Sequence, residues 1–500
     1  MQTRAKTRTL AELGLTAKQS GEVRVTGLSV DSRDVKEGHL FAALPGTKVH
    51  GGEFIQYALR MKAAAVLTDP EGAAIAAEVL AGSDAALVVV EDPREALAFS
   101  AALWFEAQPE IQVAVTGTNG KTSVATFTRQ LWIEMGAEAV NIGTTGIEGA
   151  FTAPLQHTTP EPITLHRALA EMADAGITHA AMEASSHGLA QRRVDAVRLQ
   201  AAAFTNLSQD HLDYHADFED YFAAKAGLFN RVMSEDGIAV INIDDAWGPR
   251  MAEVASDRGQ DVLTVGRDQQ AALRIRGQRF DATGQEVRFE WGGKIRQARL
   301  GLIGGFQAEN ALMAAGLCIA TGSDPDETFD TLHMLQTVRG RMQLAARREN
   351  QATVFVDYAH TPEALATALK ALRPHVLGRL IVAFGAGGDR DKGKRPLMGR
   401  AAADYADQVF VTDDNPRSED PDLIRAEILA GARKGPADVS EVGDRAEAIL
   451  RAVDALSPGD TLLIAGKGHE SGQVIGDVTL PFDDVEQASV AVAALDGKGL

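Results

Sequence analysis

Short apolar runs alternate with longer helical patterns along most of this 500-residue chain. A short buried run followed by an amphipathic stretch is typical of a strand–helix unit, and a series of such units predicts parallel sheets. Several runs lead directly into Gly, Thr or Asp, which indicates loops at the carboxyl edge of a sheet, where ligands bind. The predicted strands are Ala86–Val90, Ile111–Thr116, His179–Met182, Ala201–Phe204, Ile238–Ile243, Leu380–Phe384, Val409–Val411 and Leu462–Ala465. The predicted helices are Lys121–Met135, Ile163–Ala175, Asn310–Ile319, Thr361–Ala371 and Asp422–Leu429.

The length of the chain predicts several domains, because single hydrophobic cores stop growing at roughly 250–300 residues. The pattern favours three domains, at residues 1–108, 109–337 and 338–500. The third opens with a strand predicted at Thr353–Val356. Within the second, residues 267–302 alternate like an antiparallel meander.

The composition excludes several classes of protein. There are 49 Lys and Arg against 69 Asp and Glu, which gives a formal charge of −20. This charge argues against non-specific binding of nucleic acid through a basic surface. Cys318 is the only cysteine, so an intrachain disulfide is excluded and a reducing compartment is favoured. The first 18 residues lack the apolar core of a signal peptide, and no run approaches the ~20 apolar residues that span a bilayer. We expect a soluble cytoplasmic protein without membrane insertion.

The sharpest local motif is the segment 116–123, which reads Thr-Gly-Thr-Asn-Gly-Lys-Thr-Ser and lies between a predicted strand and a predicted helix. Glycines let backbone N–H groups turn around phosphate oxygens, and the helix N-terminus adds partial positive charge. Lys121 would reach the β- and γ-phosphates of a nucleotide, and the Thr122 hydroxyl would bind Mg²⁺. The predicted ATP-binding residues here are Gly117, Thr118, Asn119, Gly120, Lys121, Thr122 and Ser123.

The eight-residue phosphate-loop consensus is incomplete, because its first Gly falls on Val115. A Gly-rich turn with a solvated lysine is therefore the alternative at this segment. For the whole chain, a nucleotide hydrolase acting as a switch or motor is an alternative that only this loop favours.

Acidic and basic side chains follow two further strands. Glu183 directly follows the predicted strand His179–Met182, where it is either a second Mg²⁺ ligand or a surface acid. The segment Asp210–His215 reads Asp-His-Leu-Asp-Tyr-His, which suggests either a metal site or structural hydrogen bonds. Lys225, in a helical pattern, reads by itself as a solvated lysine.

The loop Thr-Gly-Thr-Asn-Gly-Lys-Thr resembles the ATP loop of the Mur ligase family, cytoplasmic enzymes that build the peptidoglycan precursor. Matching motifs run from Asp31 to Glu470 and cover nearly the whole chain. The resemblance implies an α/β fold of three domains: a smaller N-terminal α/β domain that binds the UDP-substrate, a central P-loop ATPase domain with a mostly parallel sheet, and a C-terminal Rossmann-like domain that binds the amino acid.

The resemblance also implies roles around ATP. It assigns magnesium to Thr122, Glu183, His211 and Lys225, the last modified by CO₂ to a carbamate, and it places Asn206 close to the phosphates. A carbamate needs a deprotonated amine, which turns a cation into an oxygen ligand. The implied catalytic residues are Lys121, Glu183, His211 and Lys225. Further implied ATP contacts are Asn310, Arg341 and Asp357. The chain departs from the family at Gln307, which more often is Asn, and at Arg339, which replaces Pro.

The UDP-muramoyl-dipeptide is the implied acceptor. Its predicted contacts are Val30, Ser32, Thr47, Lys48, Val49, Thr158, Thr159, Ser185, Gln191 and Arg193. An Arg among hydroxyl and amide donors suits an anionic ligand that accepts many hydrogen bonds.

The motifs of the third domain resemble those of family members that add meso-diaminopimelate. The distal end of this amino acid carries one carboxylate and one ammonium. Arg417 and Arg390 supply cations for the carboxylate, and Glu470 supplies an anion for the ammonium. The segment Asp-Asn-Pro-Arg at 414–417 is typical of these members, and a Pro turn with a surface Arg is the alternative. The predicted diaminopimelate contacts are Arg390, Asp414, Asn415, Pro416, Arg417, Gly466 and Glu470.

The resemblance therefore implies an ATP-dependent amide ligase. It would activate the γ-carboxylate of D-glutamate as an acyl phosphate, which the amine of meso-diaminopimelate then attacks. Domain closure would exclude water. Three alternatives remain: a ligase that adds L-lysine in the same reaction, a folylpolyglutamate-type ligase, and a binding module without catalysis. We expect a monomer.

Overall fold

The computed structural model describes residues 6–18, 21–46, 49–155, 157–208 and 214–497, so the predicted sites at Thr47, Lys48 and His211 lie outside the described residues. The fold is α/β with mostly parallel sheets, as predicted. The chain forms two compact units. The first comprises the described residues through Leu273 together with Leu312–Thr328, and the second comprises Arg274–Ala311 and the described residues from Phe329.

The first unit begins with a small α/β layer. Four parallel strands form its sheet, in the order of the chain, and a two-stranded antiparallel ribbon precedes them. The ribbon is Arg8–Thr9 with Arg24–Val25, and the sheet strands are Gly27–Ser29, His39–Ala42, Ala65–Thr68 and Ala86–Val89. The helical elements of this layer are Ala11–Leu13, Gly51–Phe54, Ile55–Arg60, Pro70–Ile75, Ala77–Ala81 and Pro93–Phe105.

A larger sheet follows in the same unit, and its central strand is Ile111–Thr116. Going outward on one side lie Ala201–Phe204, Ile238–Asn242 and Asp261–Gly266, and on the other His179–Glu183, Ala139–Gly143 and Gly146–Gly149. All neighbours are parallel except the last pair, which is antiparallel. The helical elements are Lys121–Glu134, Pro162–Asp174, Ser186–Ala190, Phe218–Gly227, Leu228–Val232 and Gly248–Asp257.

The second unit contains the predicted meander and a second parallel sheet. The meander is Leu273–Asp281, Gly284–Trp291 and Lys294–Leu300, and its last two strands pair antiparallel. The sheet runs in the spatial order Gln343–Arg347, Thr353–Asp357, Thr461–Ala465, Leu380–Phe384, Gln408–Val411 and Asp438–Glu441, antiparallel only at its first pair. A hairpin is formed by Gly472–Ile475 and Val478–Pro481. The helical elements of this unit are Thr331–Met334, Pro362–Leu372, Arg373–His375, Lys394–Tyr405, Pro421–Ala432, Arg445–Asp454 and Asp484–Leu495. The helices Phe306–Ala320 and Pro325–Asp330 each have residues in both units.

A repeated sequence device starts many of these helices. Asp92, Glu161, Thr361 and Asp420 each accept a backbone N–H of the first turn, and each is followed by proline. Proline fits the first helical position because its missing N–H would be unpaired there and its φ is already helical. These caps set the helix starts that the apolar pattern alone left uncertain.

The predicted elements are present, and the ends of several differ from the prediction. The helix predicted from Asn310 begins earlier, at Phe306, two residues after Gly304, which has a φ of +97°. The helix predicted at Asp422–Leu429 extends over Pro421–Ala432. Among the described residues, no helix is long and apolar enough to cross a bilayer. The domain boundaries at 108/109 and 337/338 stay predictions.

Candidate functional site

The carboxyl ends of three neighbouring strands bring the predicted phosphate site together. Ile111–Thr116 lies between His179–Glu183 and Ala201–Phe204, with Glu183 paired to Val115 and Phe204 paired to Thr116. Because all three strands are parallel, the loops that follow them leave the sheet at one edge. The phosphate loop, Glu183 and Asn206 therefore meet although they are far apart in the sequence.

The phosphate loop of residues 117–120 is held by the strand-end loop beside it. The backbone N–H of Asn119 donates to Asn206 Oδ1 at 2.9 Å, and that of Thr118 donates to the Asn206 carbonyl at 2.8 Å. Gly117 has a φ of +146°, and a Cβ there would lie 1.9 Å from Thr205 Oγ1. Only glycine fits this position, because both the backbone conformation and the close contact exclude a side chain.

Lys121 and Thr122 begin the helix at the positions that a phosphate loop requires. Lys121 Nζ donates to the carbonyls of Gly117 and Thr118 at 3.0 and 2.9 Å, so the amine lies over the loop. The Thr122 hydroxyl donates to Glu183 Oε2 at 2.9 Å, and the Thr144 N–H donates to Glu183 Oε1 at 2.8 Å. The carboxylate, 2 % exposed, is thereby fixed beside the phosphate loop. Glu183 is a buried acid and not a surface acid.

Lys225 is also buried, against the expectation for a solvated helix lysine. Its side chain is 1 % exposed, and Nζ donates to the Gly117 carbonyl at 2.8 Å. Nζ also lies 4.4 Å from the ring centre of Tyr221, one helical turn earlier. The Tyr221 hydroxyl hydrogen-bonds Thr118 Oγ1 at 3.1 Å. The helix Phe218–Gly227 is thus tied to the phosphate loop by two side chains.

Hard oxygen donors suitable for Mg²⁺ are present at this edge. The Thr122 hydroxyl and the Glu183 carboxylate lie together there. Mg²⁺ binds through one or two carboxylates plus phosphates and waters, so this pair fits the ion in the presence of a nucleotide. Within the described part of the chain, no group of three or more His, Cys, Asp or Glu is arranged to hold a metal by itself.

The predicted acceptor contacts of the central domain lie together. Thr159 Oγ1 bonds Ser185 Oγ at 3.1 Å and donates to the Glu183 carbonyl at 3.0 Å. Arg193 donates to Gln191 Oε1 at 2.7 Å and to the Thr159 carbonyl at 2.8 Å. These side chains form one polar cluster around the end of the strand that carries Glu183.

The remaining acceptor contacts are less closely connected. The Thr158 hydroxyl bonds the hydroxyl of Thr144 at 3.1 Å, next to the Glu183 cluster. Val30 packs against the core of the N-terminal layer, Ser32 is half-buried, and Val49 is exposed. No contact joins these three residues to the central cluster among the hydrogen bonds of the described chain. Their roles stay predictions.

In the second unit, Asp357 ends the strand Thr353–Asp357 and is buried. Its carboxylate accepts the N–H groups of Met342 and Ala359, both at 2.8 Å. Burial raises the pKa of the Asp357 carboxyl, and the charge of Arg341 opposes that shift. The Arg341 guanidinium stacks on the Tyr358 ring at 4.9 Å.

Asn310 lies on the helix Phe306–Ala320 and is 7 % exposed. Its amide donates to Gln307 Oε1 at 3.0 Å. The Gln that departs from the family pattern therefore contacts the residue predicted to meet adenine, one helical turn along.

The predicted diaminopimelate residues gather at the carboxyl edge of the second sheet, in loops after three adjacent strands. Asn415 Nδ2 donates to Glu470 Oε2 at 2.9 Å, which joins the loop after Gln408–Val411 to the loop after Thr461–Ala465. Arg417 donates to the Gly388 carbonyl at 2.7 Å, which joins them to the Arg390 loop. A cation and an anion are thus held within one group of loops.

Sequence reasoning missed several residues of these sites. Lys467 is fully buried between Asn415 and Glu470, and Tyr221 lies between the phosphate loop and Lys225. Thr144 fixes the second oxygen of Glu183. For Lys467 a signal existed, since it lies in a Gly-Lys-Gly-His-Glu segment directly after an apolar strand.

The phosphate loop follows a central parallel strand, and the hydroxyl of its Thr122 donates to the buried Glu183 carboxylate. This arrangement is typical of enzymes that use a nucleotide. Three domain families match successive parts of the chain. "Mur ligase family, catalytic domain" matches residues 24–104, "Mur ligase middle domain" 115–318, and "Mur ligase, glutamate ligase domain" 340–468. The chain belongs to the Mur ligase family, and it is an ATP-dependent ligase.

Several relatives are similar over nearly the whole chain. The UDP-N-acetylmuramoyl-L-alanyl-D-glutamate–2,6-diaminopimelate ligase of Brucella melitensis is 48% identical over 479 residues, 95% of this chain and 96% of the relative. The ligase of the same name from Rhizobium meliloti is 47% identical over 485 residues, 96% and 97% of the two chains. The family resemblance inferred from the motifs is confirmed.

Solved structures agree with the fold. A structure of a UDP-N-acetylmuramoyl-L-alanyl-D-glutamate–2,6-diaminopimelate ligase superimposes with a TM-score of 0.75 at 34% identity, covering 98% of this chain and 99% of that one. A folylpolyglutamate synthase of Mycobacterium tuberculosis, at 21% identity, has a TM-score of 0.58 over 81% of this chain and 95% of its own. The second likeness shows the fold alone. The predicted three-domain architecture is confirmed.

Proposed function

We propose that this chain joins meso-2,6-diaminopimelate to the D-glutamate γ-carboxylate of UDP-N-acetylmuramoyl-L-alanyl-D-glutamate, with conversion of ATP to ADP and phosphate. The observation that carries the proposal is the group of loops in the second unit, where Arg417 and the Asn415–Glu470 pair lie together. The likeness to ligases of that name over 95% of the chain supports the same substrates. Such a ligase would act in the cytoplasm, where ATP and UDP-linked precursors are found.

The phosphate loop and its neighbours would bind ATP. Backbone N–H groups of residues 117–122 would surround the phosphates. The Lys121 amine would exchange its hydrogen bonds to the Gly117 and Thr118 carbonyls for contacts with the phosphates. In the second unit, Asp357 and Arg341 supply a carboxylate for ribose and a cation for phosphate, and Asn310 an amide for adenine.

The reaction would proceed in two steps. The acceptor γ-carboxylate oxygen attacks the γ-phosphorus of ATP, which forms an acyl phosphate and releases ADP. A neutral amine of diaminopimelate then attacks the acyl carbon, phosphate leaves, and the amine loses a proton as the amide forms. Carboxylate and triphosphate are both anionic, so cations must bring them together. Lys121 contributes one positive charge, and Arg193 beside Thr159 contributes another on the acceptor side.

Thr122 and Glu183 would hold Mg²⁺, with His211 and a carbamate on Lys225 as further ligands. The ion would neutralise phosphate charge during phosphoryl transfer. Lys225 and CO₂ give Lys–NH–COO⁻ and one proton. Lys225 is buried beside the phosphate loop, and the carbamate would keep one N–H for the bond to the Gly117 carbonyl.

The carbamate can be tested separately by ¹³C NMR. Protein equilibrated with ¹³C-bicarbonate should show a carbamate signal that the Lys225→Arg variant lacks. A wild-type spectrum without that signal would contradict the modification and leave the ligase assignment untouched.

The choice of amino acid depends on the distal carboxylate. Arg417 lies within the loops that Asn415 and Glu470 join, so a bidentate Arg–carboxylate pair is available to diaminopimelate and absent with L-lysine. A buried polar group left unpaired discriminates strongly between two substrates. We therefore expect a clear preference for meso-diaminopimelate.

The experiment is ADP release by purified protein with the UDP-muramoyl-dipeptide and a panel of amino acids. We expect turnover that requires the dipeptide acceptor and that is highest with meso-diaminopimelate. Turnover with L-lysine but not with meso-diaminopimelate would replace the proposed substrate. ATP hydrolysis that is independent of both acceptor and amino acid would instead favour a nucleotide switch.

A further inference from the structure

Lys467 lies in the loop that follows the strand Thr461–Ala465, and its side chain is fully buried. Its Nζ donates to Asn415 Oδ1 at 2.9 Å and to Glu470 Oε2 at 3.5 Å. A carboxylate oxygen of Asp414 lies 3.8 Å away. A buried ammonium is costly unless it is paired and hydrogen-bonded, so these two acceptors and the nearby Asp414 carboxylate explain how the position tolerates a lysine.

The same contacts determine which way the Asn415 amide points. Oδ1 accepts from Lys467 Nζ and from the Val474 N–H, both at 2.9 Å, and Nδ2 donates to Glu470 Oε2 at 2.9 Å. Rotating the amide by half a turn would direct its NH₂ group at two donors and its oxygen at a carboxylate. Lys467 and the Val474 N–H together enforce one orientation, in which Nδ2 holds Glu470.

Glu470 is restrained on one oxygen only. Oε2 accepts hydrogen bonds from Asn415 Nδ2 and Lys467 Nζ, whereas no hydrogen bond to Oε1 occurs among the residues that the structure describes. The residue is half-buried, so Oε1 can reach a ligand. A carboxylate oxygen that no hydrogen bond of the described residues uses is a suitable acceptor for a ligand ammonium.

We infer that Lys467 is a positioning residue for amino-acid selection: it orients Asn415 and fixes Glu470 so that one carboxylate oxygen faces the distal ammonium of the substrate. This inference rests on the proposed function. It assigns Lys467 no contact with the substrate or with the reacting atoms. Its effect should therefore appear in the binding of diaminopimelate and not in the chemical step.

The test compares Lys467→Met and Lys467→Gln with wild type in steady-state kinetics, varying each of the three substrates in turn. We expect the KM for meso-diaminopimelate to rise about 10- to 100-fold, the range for losing one hydrogen bond to a charged group. The KM values for ATP and for the UDP-muramoyl-dipeptide should stay within about 2-fold of wild type, as should kcat. The Gln variant keeps a polar side chain in the cavity and carries the test if the Met variant does not fold.

Arg348→Met is the matched control. Arg348 belongs to the same unit and forms a largely buried ion pair with Asp496 at 2.8 Å, in residues that none of the proposed contacts uses. Its loss should lower stability without changing the KM for meso-diaminopimelate.

Two results would overturn the inference. One is a Lys467 variant with the wild-type KM for meso-diaminopimelate. The other is a Lys467 variant in which the KM values for all three substrates rise together, with the same rise in Arg348→Met. Such a result would indicate a general loss of structure and not a role in amino-acid binding. Wild type that does not use meso-diaminopimelate would refute the proposed function itself, so the two failures are distinguishable.

Discussion

A buried ion pair beneath the amino-acid loops allows a quantitative test of the second unit. Arg445 and Asp484 are 1% and 0% exposed in their side chains. Two parallel hydrogen bonds join them, Nε to Oδ1 at 2.8 Å and Nη2 to Oδ2 at 2.7 Å. Arg445 also donates to the carbonyls of Ala465 and Asp413, at 3.0 and 3.2 Å. One guanidinium thus connects two strand ends to a helix start.

Arg445→Met should lower the free energy of unfolding by about 3–5 kcal/mol, because it leaves the Asp484 carboxylate buried without its partner. The double variant Arg445→Met/Asp484→Asn should be more stable than the single one by about 2 kcal/mol, since an amide costs less to bury than a charge. It should not regain all the stability, because Asp484 lies in the first turn of its helix, where a negative charge contributes about 0.3–1 kcal/mol.

Urea unfolding followed by far-UV circular dichroism would measure these differences. Arg400→Met is the control, since Arg400 and Asp404 form an ion pair four residues apart on a helix surface, where solvent screens the attraction. The reasoning is refuted if Arg445→Met costs no more than Arg400→Met. It is also refuted if the double variant is less stable than the single one.

Three further predictions concern other positions. Burial lowers the pKa of His166 from 6.5 to about 4, so the unfolded chain takes up a proton first as the pH falls. Between pH 7 and pH 5, wild type should therefore lose about 2 kcal/mol more stability than His166→Gln in urea unfolding, and equal losses would contradict this. Tyr221→Phe removes the hydroxyl bond to Thr118 and should cost about 1 kcal/mol of stability in the same assay, whereas an unchanged midpoint would show that the bond contributes nothing. Gly466→Ala should raise the KM for meso-diaminopimelate at least ~10-fold, because the new Cβ would lie 2.5 Å from Asp414 Oδ2 at a φ of +117°; an unchanged KM would place Asp414 outside the site.

The elements of the fold were largely predictable because their signals are local. Ile111–Thr116 and Ala201–Phe204 were predicted with their observed ends, since each is a short, mainly apolar run with polar residues next to it. The helix Phe306–Ala320 was predicted too short, because Phe306 and Gln307 follow two glycines and carry no clear helix-start signal.

The candidate sites were only partly predictable. Motif resemblance found Glu183 and Lys225 but described neither as buried, because burial depends on neighbours distant in the chain. Tyr221 was missed for the same reason. The Gly-Lys-Gly-His-Glu segment marked the loop of Lys467, but a local motif does not show that the lysine is buried or that it positions a neighbour. His211 lies outside the described residues, and its role stays a prediction.

The amino-acid sequence alone determined the α/β class, the phosphate loop and membership of the Mur ligase family, because apolar periodicity, glycine spacing and long motifs are properties of neighbouring residues. The tertiary structure decided which side chains meet. Strand order placed Glu183 beside Thr122 and Asn415 beside Glu470, pairs separated by 61 and 55 residues. Sheet register and burial bring such residues together, and both arise from packing of the whole unit, which no short segment encodes.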